Sequence, residues 1–163
     1  MKLYDYFRSG AAYRTRIALN LKGLDYEQAF IHLTRNGGEQ LKPDYVAVNP
    51  QKLVPTLIDG DLKITQSMAI MEYVEETKPG ASLLPKDAAG RARVRALANI
   101  IACDIHPINN LRVRNYVRDD LKAGPEGMRT WIEKWIHLGL EAYEALVAGN
   151  PATGAFSHGD TPT

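Results

Sequence analysis

Every segment of this chain that reads as a β-strand lies before residue 79, and the remainder reads as helix. Residues 2–6 alternate apolar and polar side chains, as a half-buried strand does. Residues 26–31 form a second such run. Residues 56–58 and 62–65 flank Asp59-Gly60, a hairpin turn signal. Between the first two strands a helix is expected over 11–22, with Ala12, Tyr13, Ile17 and Leu21 on its apolar face and Gly23 as its stop. A polar loop at 34–38 and a short helix at 40–48, closed by Asn49-Pro50, precede the hairpin. Ser67 reads as the cap of a further helix running to about residue 78, with Met68, Ile70, Met71 and Val74 as apolar positions. The order β-α-β-α-β-β-α implies a small mixed sheet. Its first two strands are parallel through the helical crossover, its hairpin is antiparallel, and helices pack upon it.

The segment PGASLLPKD, residues 79–87, carries two prolines and reads as a linker. Beyond it, residues 88–118 form one helical stretch that Pro107 should kink, since proline has no N–H to give. After a loop at 123–127, an amphipathic helix is expected over 128–147, with Trp131, Trp135, Leu138, Ala142 and Ala145 in register. The expected organisation is an α/β domain at 1–80, a linker at 81–87 and an all-helical domain at 88–163.

The 163 residues, 45% of them hydrophobic, are enough for one compact core or two small ones. Lys and Arg number 20 against 19 Asp and Glu, so no overall field draws the chain to nucleic acid or an anionic membrane. A single cysteine, Cys103, excludes an internal disulfide and fits a reducing compartment. MKLYDYFRSG lacks the apolar run of a signal peptide, and no stretch approaches the ~20 apolar residues of a membrane span. A soluble, cytoplasmic protein is expected. No Cys-x-x-Cys is present, the four histidines lack metal-ligand spacing, Gly37-Gly38 is no phosphate loop, and no Gly-x-Ser-x-Gly occurs.

Four segments in order, YFRSGAAYRTRIALNLKGLDYE, NPQKLVPTL, ITQSMAIMEYVEE and CDIHPINNLRV, resemble the zeta class of glutathione transferases, and most of all its bacterial maleylacetoacetate and maleylpyruvate isomerases. The resemblance covers essentially the whole chain. It implies a thioredoxin-like α/β N-terminal domain, an all-α C-terminal domain, a homodimer, and glutathione as cofactor with a small dicarboxylate as substrate. Two departures stand out. Where the family typically has Ser-Ser-Cys, this chain has Ser9-Gly10-Ala11. Family members also continue past GDTPT with another helical segment, so the C-terminal domain is expected to be incomplete and to expose apolar surface.

From the residues alone Ser9 caps the first helix; the resemblance implies that it donates a hydrogen bond to the glutathione sulfur, beside Gly10 and Ala11. Pro55 is implied to be cis, turning the Val54 backbone outward to pair with the cysteinyl backbone of glutathione. Ser67 and Gln66, otherwise a cap and its solvated neighbour, are implied to hold the γ-glutamyl end, since helix N-termini attract anions. Gln40 matches a contact to the glycyl end. His106, either a satisfied histidine at a kink or a catalytic group, lies with Asn110 near the sulfur and the substrate. Arg8 and Arg112, otherwise surface arginines, match positions that hold substrate carboxylates. Arg14, Arg16, Arg91, Arg93 and Arg95 read as packing or ion-pairing residues. No metal is implied.

The activity implied is glutathione-dependent isomerisation of maleylacetoacetate to fumarylacetoacetate, in aromatic amino acid catabolism. Some maleylpyruvate isomerases carry a second arginine where this chain has Leu111, which favours maleylacetoacetate over maleylpyruvate. A conjugating or dehalogenating transferase and a non-catalytic interaction module are the alternatives.

Overall fold

The computed structural model describes residues 1–163 and divides into two compact units, Met1–Leu83 and Leu84–Thr163. The first contains β1 (Lys2–Asp5), α1 (Gly10–Leu21), β2 (Glu27–Phe30), α2 (Pro43–Val46), β3 (Thr56–Asp59), β4 (Leu62–Thr65) and α3 (Ser67–Thr77). The strands form one sheet in the order β2-β1-β3-β4. β1 and β2 run parallel, as a crossover through α1 requires, and β3 is antiparallel to both its neighbours. Alternation along β1 sends Leu3 and Asp5 to one face and Tyr4 and Tyr6 to the other. On the first face Leu3 and Leu57 meet Leu19 of α1 and Ile70 and Val74 of α3 in a sealed core. On the second, Tyr6 packs with Tyr45 of α2 and Val54. This is a thioredoxin-like α/β arrangement.

The buried line of α1 is Ala12, Thr15, Ala18 and Leu19. The expected face was wrong in part: Tyr13, Ile17 and Leu21 are 57%, 43% and 44% exposed. Two alanines let the helix approach the sheet closely, which rotates the larger side chains outward. Arg16 turns back to the fully buried Asp5, with its Nη1 at 2.7 and 2.5 Å from the two carboxylate oxygens. The chain ends α1 at Lys22 and reverses at Gly23, where φ is +66°.

The helix expected at 40–48 is shorter, because Pro43 has no N–H and fits only the first turn of α2. Gln40 lies instead in a 3-10 turn, Glu39–Leu41. The hairpin pairs Asp59 with Leu62, so its two-residue loop is Gly60-Asp61. Ser67 does not cap α3. It is the first helical residue, and Gln66 takes the cap position with no side-chain cap bond.

Lys22 and Glu75 form a buried ion pair between α1 and α3 at 3.0 Å. The Lys22 ammonium also donates to the Ala81 carbonyl, and Glu75 accepts from the Ser82 hydroxyl and the Leu83 N–H. Burial alone would raise the Glu75 carboxyl; these donors outweigh it and hold the group below its ordinary range.

The second unit contains α4 (Ala88–Asn99), α5 (His106–Ile108), α6 (Leu111–Asn115) and α7 (Gly124–Val147), with π-helical turns at Ile100–Ile105 and Tyr116–Asp120. Asp87 caps α4 by accepting from the Gly90 N–H at 2.8 Å. The expected kink at Pro107 takes the form of the first π turn, in which the His106 N–H reaches back to the Ile101 carbonyl. The wider turn admits a residue that cannot donate and that would crowd the preceding turn of a regular helix. The helix then breaks two residues further on, at Asn109–Asn110. α7 starts four residues before its expected onset, because Pro125 sits in its first turn. Its inner line runs through Trp131, Trp135, Gly139, Tyr143 and Val147, while Leu138 is 54% exposed. Gly139 lies against the side chain of Ile105 with no room for a Cβ, and this draws the inner line away from Leu138. No helix is long and apolar enough to cross a membrane.

Replacing Lys22 by Met strands a buried carboxylate. It should lower unfolding stability by about 3 kcal/mol in urea titration. Lys2→Met, which breaks an exposed pair with Glu27, should change it by no more than about 1 kcal/mol.

Candidate functional site

Tyr4, Thr56 and Thr65 are register partners across three strands. β1 and β4 end there and β3 begins there, so three connections emerge at one edge of the sheet: the segment before α1, the segment before β3, and the start of α3. Asp5 pairs with Phe30, so the end of β2 and the segment leading to Gln40 emerge at that edge too. The structure thereby gathers Arg8, Ser9, Gly10, Ala11, Gln40, Val54, Pro55, Gln66 and Ser67 at one end of the first unit.

Ser9 is the cap of α1. Its hydroxyl oxygen accepts from the Ala12 N–H at 3.2 Å, and its carbonyl accepts from the Tyr13 N–H at 2.8 Å. The cap uses a lone pair, so the hydroxyl hydrogen remains to be donated. The N–H groups of Gly10 and Ala11 have no intrahelical partner. Arg8 is exposed.

The Val54–Pro55 peptide is cis. The Val54 backbone joins neither the sheet register nor any turn hydrogen bond. Behind it stands a polar cluster that sequence reading missed. The Tyr45 hydroxyl donates to the Leu53 carbonyl at 2.6 Å, and Asn49 Nδ2 donates to the same oxygen at 2.8 Å and to Thr56 Oγ1 at 3.2 Å. Asn49 Oδ1 also accepts from the Gln51 N–H. Burial pushes the Tyr45 phenol above its ordinary range, which keeps it a donor. The Asn49-Pro50 pair was the available signal, but it reads only as a turn.

Gln66 has φ +69°, a left-handed backbone that costs a non-glycine residue about 1–3 kcal/mol. Its amide donates to Gln51 Oε1 at 2.8 Å. The first intrahelical bond of α3 runs from the Ile70 N–H to the Gln66 carbonyl, so the N–H groups of Ser67, Met68 and Ala69 are left without an intrahelical partner. Gln40 donates from Nε2 to the Leu33 carbonyl at 3.3 Å, while its Oε1 is buried with no partner.

His106, Asn110 and Arg112 lie in the second unit, within one helical break. His106 closes the π turn, Asn110 caps α6 by accepting from the Val113 N–H at 3.2 Å, and Arg112 is exposed on α6. The Asn110 amide nitrogen is not used by this cap.

Residues 1–76 match the glutathione S-transferase N-terminal domain family. The chain is 52% identical over 163 residues to a maleylpyruvate isomerase of a Ralstonia species, covering all of this chain and 76% of that protein. It superimposes on the holo structure of a maleyl pyruvate isomerase, described as a bacterial zeta-class glutathione S-transferase, with a TM-score of 0.95 at 52% identity; all of this chain and 76% of that one are covered. A maleylacetoacetate isomerase of Methylobacterium extorquens AM1, solved with bound malonate and glutathione, matches with a TM-score of 0.96 at 43% identity, over 100% of this chain and 76% of that one. The chain belongs to the zeta class of the glutathione transferase family.

Asn49→Ala removes the donor shared by Leu53 and Thr56. It should destabilise the protein by about 1–3 kcal/mol in urea unfolding. Gln66→Gly, which relieves the left-handed backbone, should raise stability by roughly 1 kcal/mol.

Proposed function

We propose that the protein is a glutathione-dependent cis–trans isomerase that converts maleylacetoacetate to fumarylacetoacetate. The observation that carries this reading is the shared edge at which a hydrogen-bond donor at the tip of α1, the unpaired backbone of Val54 before the cis Pro55 and the N-terminus of α3 meet. The groups there suit a γ-linked tripeptide. Val54 offers strand-like backbone pairing for the cysteinyl residue, beside Pro55. Gln66, Ser67 and the first N–H groups of α3 suit the γ-glutamyl carboxylate. Gln40 suits the glycyl end through its buried, unpartnered Oε1, which can accept from the glycyl N–H.

When bound, glutathione supplies a thiolate that adds reversibly to the conjugated cis double bond, which rotates as a single bond before the thiol leaves. The task of the chain is to keep the sulfur ionised and hold the substrate. An ordinary thiol, with a pKa near 8.5, is about 3% ionised at neutral pH. Lowering that pKa by about two units takes roughly 2.7 kcal/mol. A hydroxyl donating to a charged acceptor supplies about 1.5–3 kcal/mol, and the N-terminus of α1 about 0.3–1 kcal/mol. Ser9, with the Gly10 and Ala11 amides, therefore suffices without a cysteine at position 11. In the first unit, Arg8 suits a substrate carboxylate; in the second, His106, Asn110 and Arg112 share one helical break and offer an imidazole, an amide and a guanidinium suited to a carboxylate and to charge that builds on an oxygen.

The relatives include isomerases of both acids, and the 52% identity to a maleylpyruvate isomerase favours maleylpyruvate as a second substrate. Leu111, in place of a second arginine, favours maleylacetoacetate. The same reading makes the protein a cytoplasmic homodimer, which light scattering in solution tests.

With catalytic glutathione, the protein should turn over many equivalents of maleylacetoacetate while the free thiol stays constant. Ser9→Ala should lower kcat/KM at neutral pH by about 10- to 30-fold, as the ionised fraction of the thiol falls back toward about 3%. Loss of one thiol per product would instead identify a conjugating transferase, and no turnover of either acid would end the isomerase reading.

A further inference from the structure

We propose that His32 is a positioning residue for the glutathione edge, and that it fastens the segment carrying Gln40 only while its imidazole is neutral. The inference rests on the reading that Gln40 meets the glycyl end of glutathione. Nδ1 of His32 accepts from the Arg35 N–H at 2.9 Å and from the Thr34 N–H at 3.3 Å, with the Thr34 hydroxyl at 3.5 Å. A ring nitrogen that accepts two backbone N–H groups carries no proton, so the hydrogen resides on Nε2. The backbone of the turn thus selects the tautomer.

The other side of the segment is tied to the same residue. The Glu39 carboxylate accepts the His32 N–H at 2.6 Å, and the Glu39 N–H donates to the His32 carbonyl at 2.9 Å. Gln40 then donates to the adjacent Leu33 carbonyl. Between these ties Asn36, Gly37 and Gly38 have φ of +53°, +79° and +98°. The Gly38 N–H donates to the Arg35 carbonyl at 2.9 Å, and the side chains of His32 and Glu39 add to this backbone bond. The shape of the turn also sets Gln40: a Cβ on Gly38 would come within 2.8 Å of the Gln40 amide.

Protonation places an N–H on Nδ1, facing two N–H groups that it had accepted. Both bonds are lost, and donor opposes donor. The Glu39 carboxylate holds the His32 backbone N–H, Arg35 offers its own backbone N–H to Nδ1, and the Tyr6 ring lies edge-on 5.0 Å from the imidazole. Affinity for the glycyl end should therefore be lower where the His32 imidazole is protonated than where it is neutral.

S-methylglutathione has no thiol to ionise, so its binding removes the titration of the sulfur, and comparison with the His32 variants separates the turn from His106. Calorimetric titration of wild type from about pH 8 to about pH 5 should show affinity falling about tenfold. His32→Asn keeps a side-chain acceptor that does not titrate; it should bind as wild type does at pH 8 and lose most of the pH dependence. His32→Ala should bind about tenfold more weakly at pH 8. Nitrogen-15 spectra of wild type should show His32 as the Nε2–H tautomer, a readout that needs no ligand. An Nδ1–H tautomer, or the wild-type pH dependence surviving in His32→Asn, would overturn the inference. Failure of wild type to bind S-methylglutathione at any pH would instead refute the glutathione reading, with the tautomer still testing the turn.

Discussion

Tyr4, Thr56 and Thr65 stand in one row across the sheet, and nearly every group assigned to the site depends on that row. Because β3 runs against both β1 and β4, its beginning lies beside their ends. A slip of one residue in either pairing would turn Leu3 or Leu57 out of the core, so the sealed cluster with Leu19, Ile70 and Val74 enforces the register. The same burial that stabilises the domain therefore decides where Ser9, Val54 and Gln66 come to stand.

The site spends stability that the surrounding structure restores. Gln66 holds a left-handed backbone, the turn before Gln40 has three successive residues with positive φ, and two helices begin with N–H groups that lack intrahelical partners. Each is fastened from behind. Gln51 bonds Gln66, the Asn49–Tyr45–Thr56 cluster grips the Leu53 carbonyl, Arg16 pairs with the buried Asp5, and His32 and Glu39 close the turn. Except for the exposed Gln51, these fasteners are buried or half-buried polar groups. They fix donors in place before a ligand arrives, which reduces what binding must spend on ordering them.

The strands, the order of elements and the change of character after residue 79 were legible in the sequence, because alternation and turn residues report the local backbone directly. The family resemblance was legible too, through four short motifs. Less legible was which stripe of a helix is buried. In α1 the larger side chains Tyr13, Ile17 and Leu21 suggested one face, yet close approach to the sheet selected Ala12, Thr15, Ala18 and Leu19. In α7, contact between Gly139 and Ile105 moved the inner line away from Leu138. Ser67 suggested a cap by residue type, but the left-handed Gln66 begins the helix one residue earlier than a serine cap would. The polar fasteners were hidden for a different reason. Tyr45, Asn49 and His32 act on backbone groups two to eight residues away, and residue type alone does not name the partner.

The central claim is that a serine hydroxyl at the tip of α1 keeps the sulfur of bound glutathione negatively charged. Ultraviolet titration of the thiolate in the complex measures this directly. The account predicts an ionisation midpoint about two units below that of the free tripeptide. A midpoint equal to that of glutathione in water would contradict it.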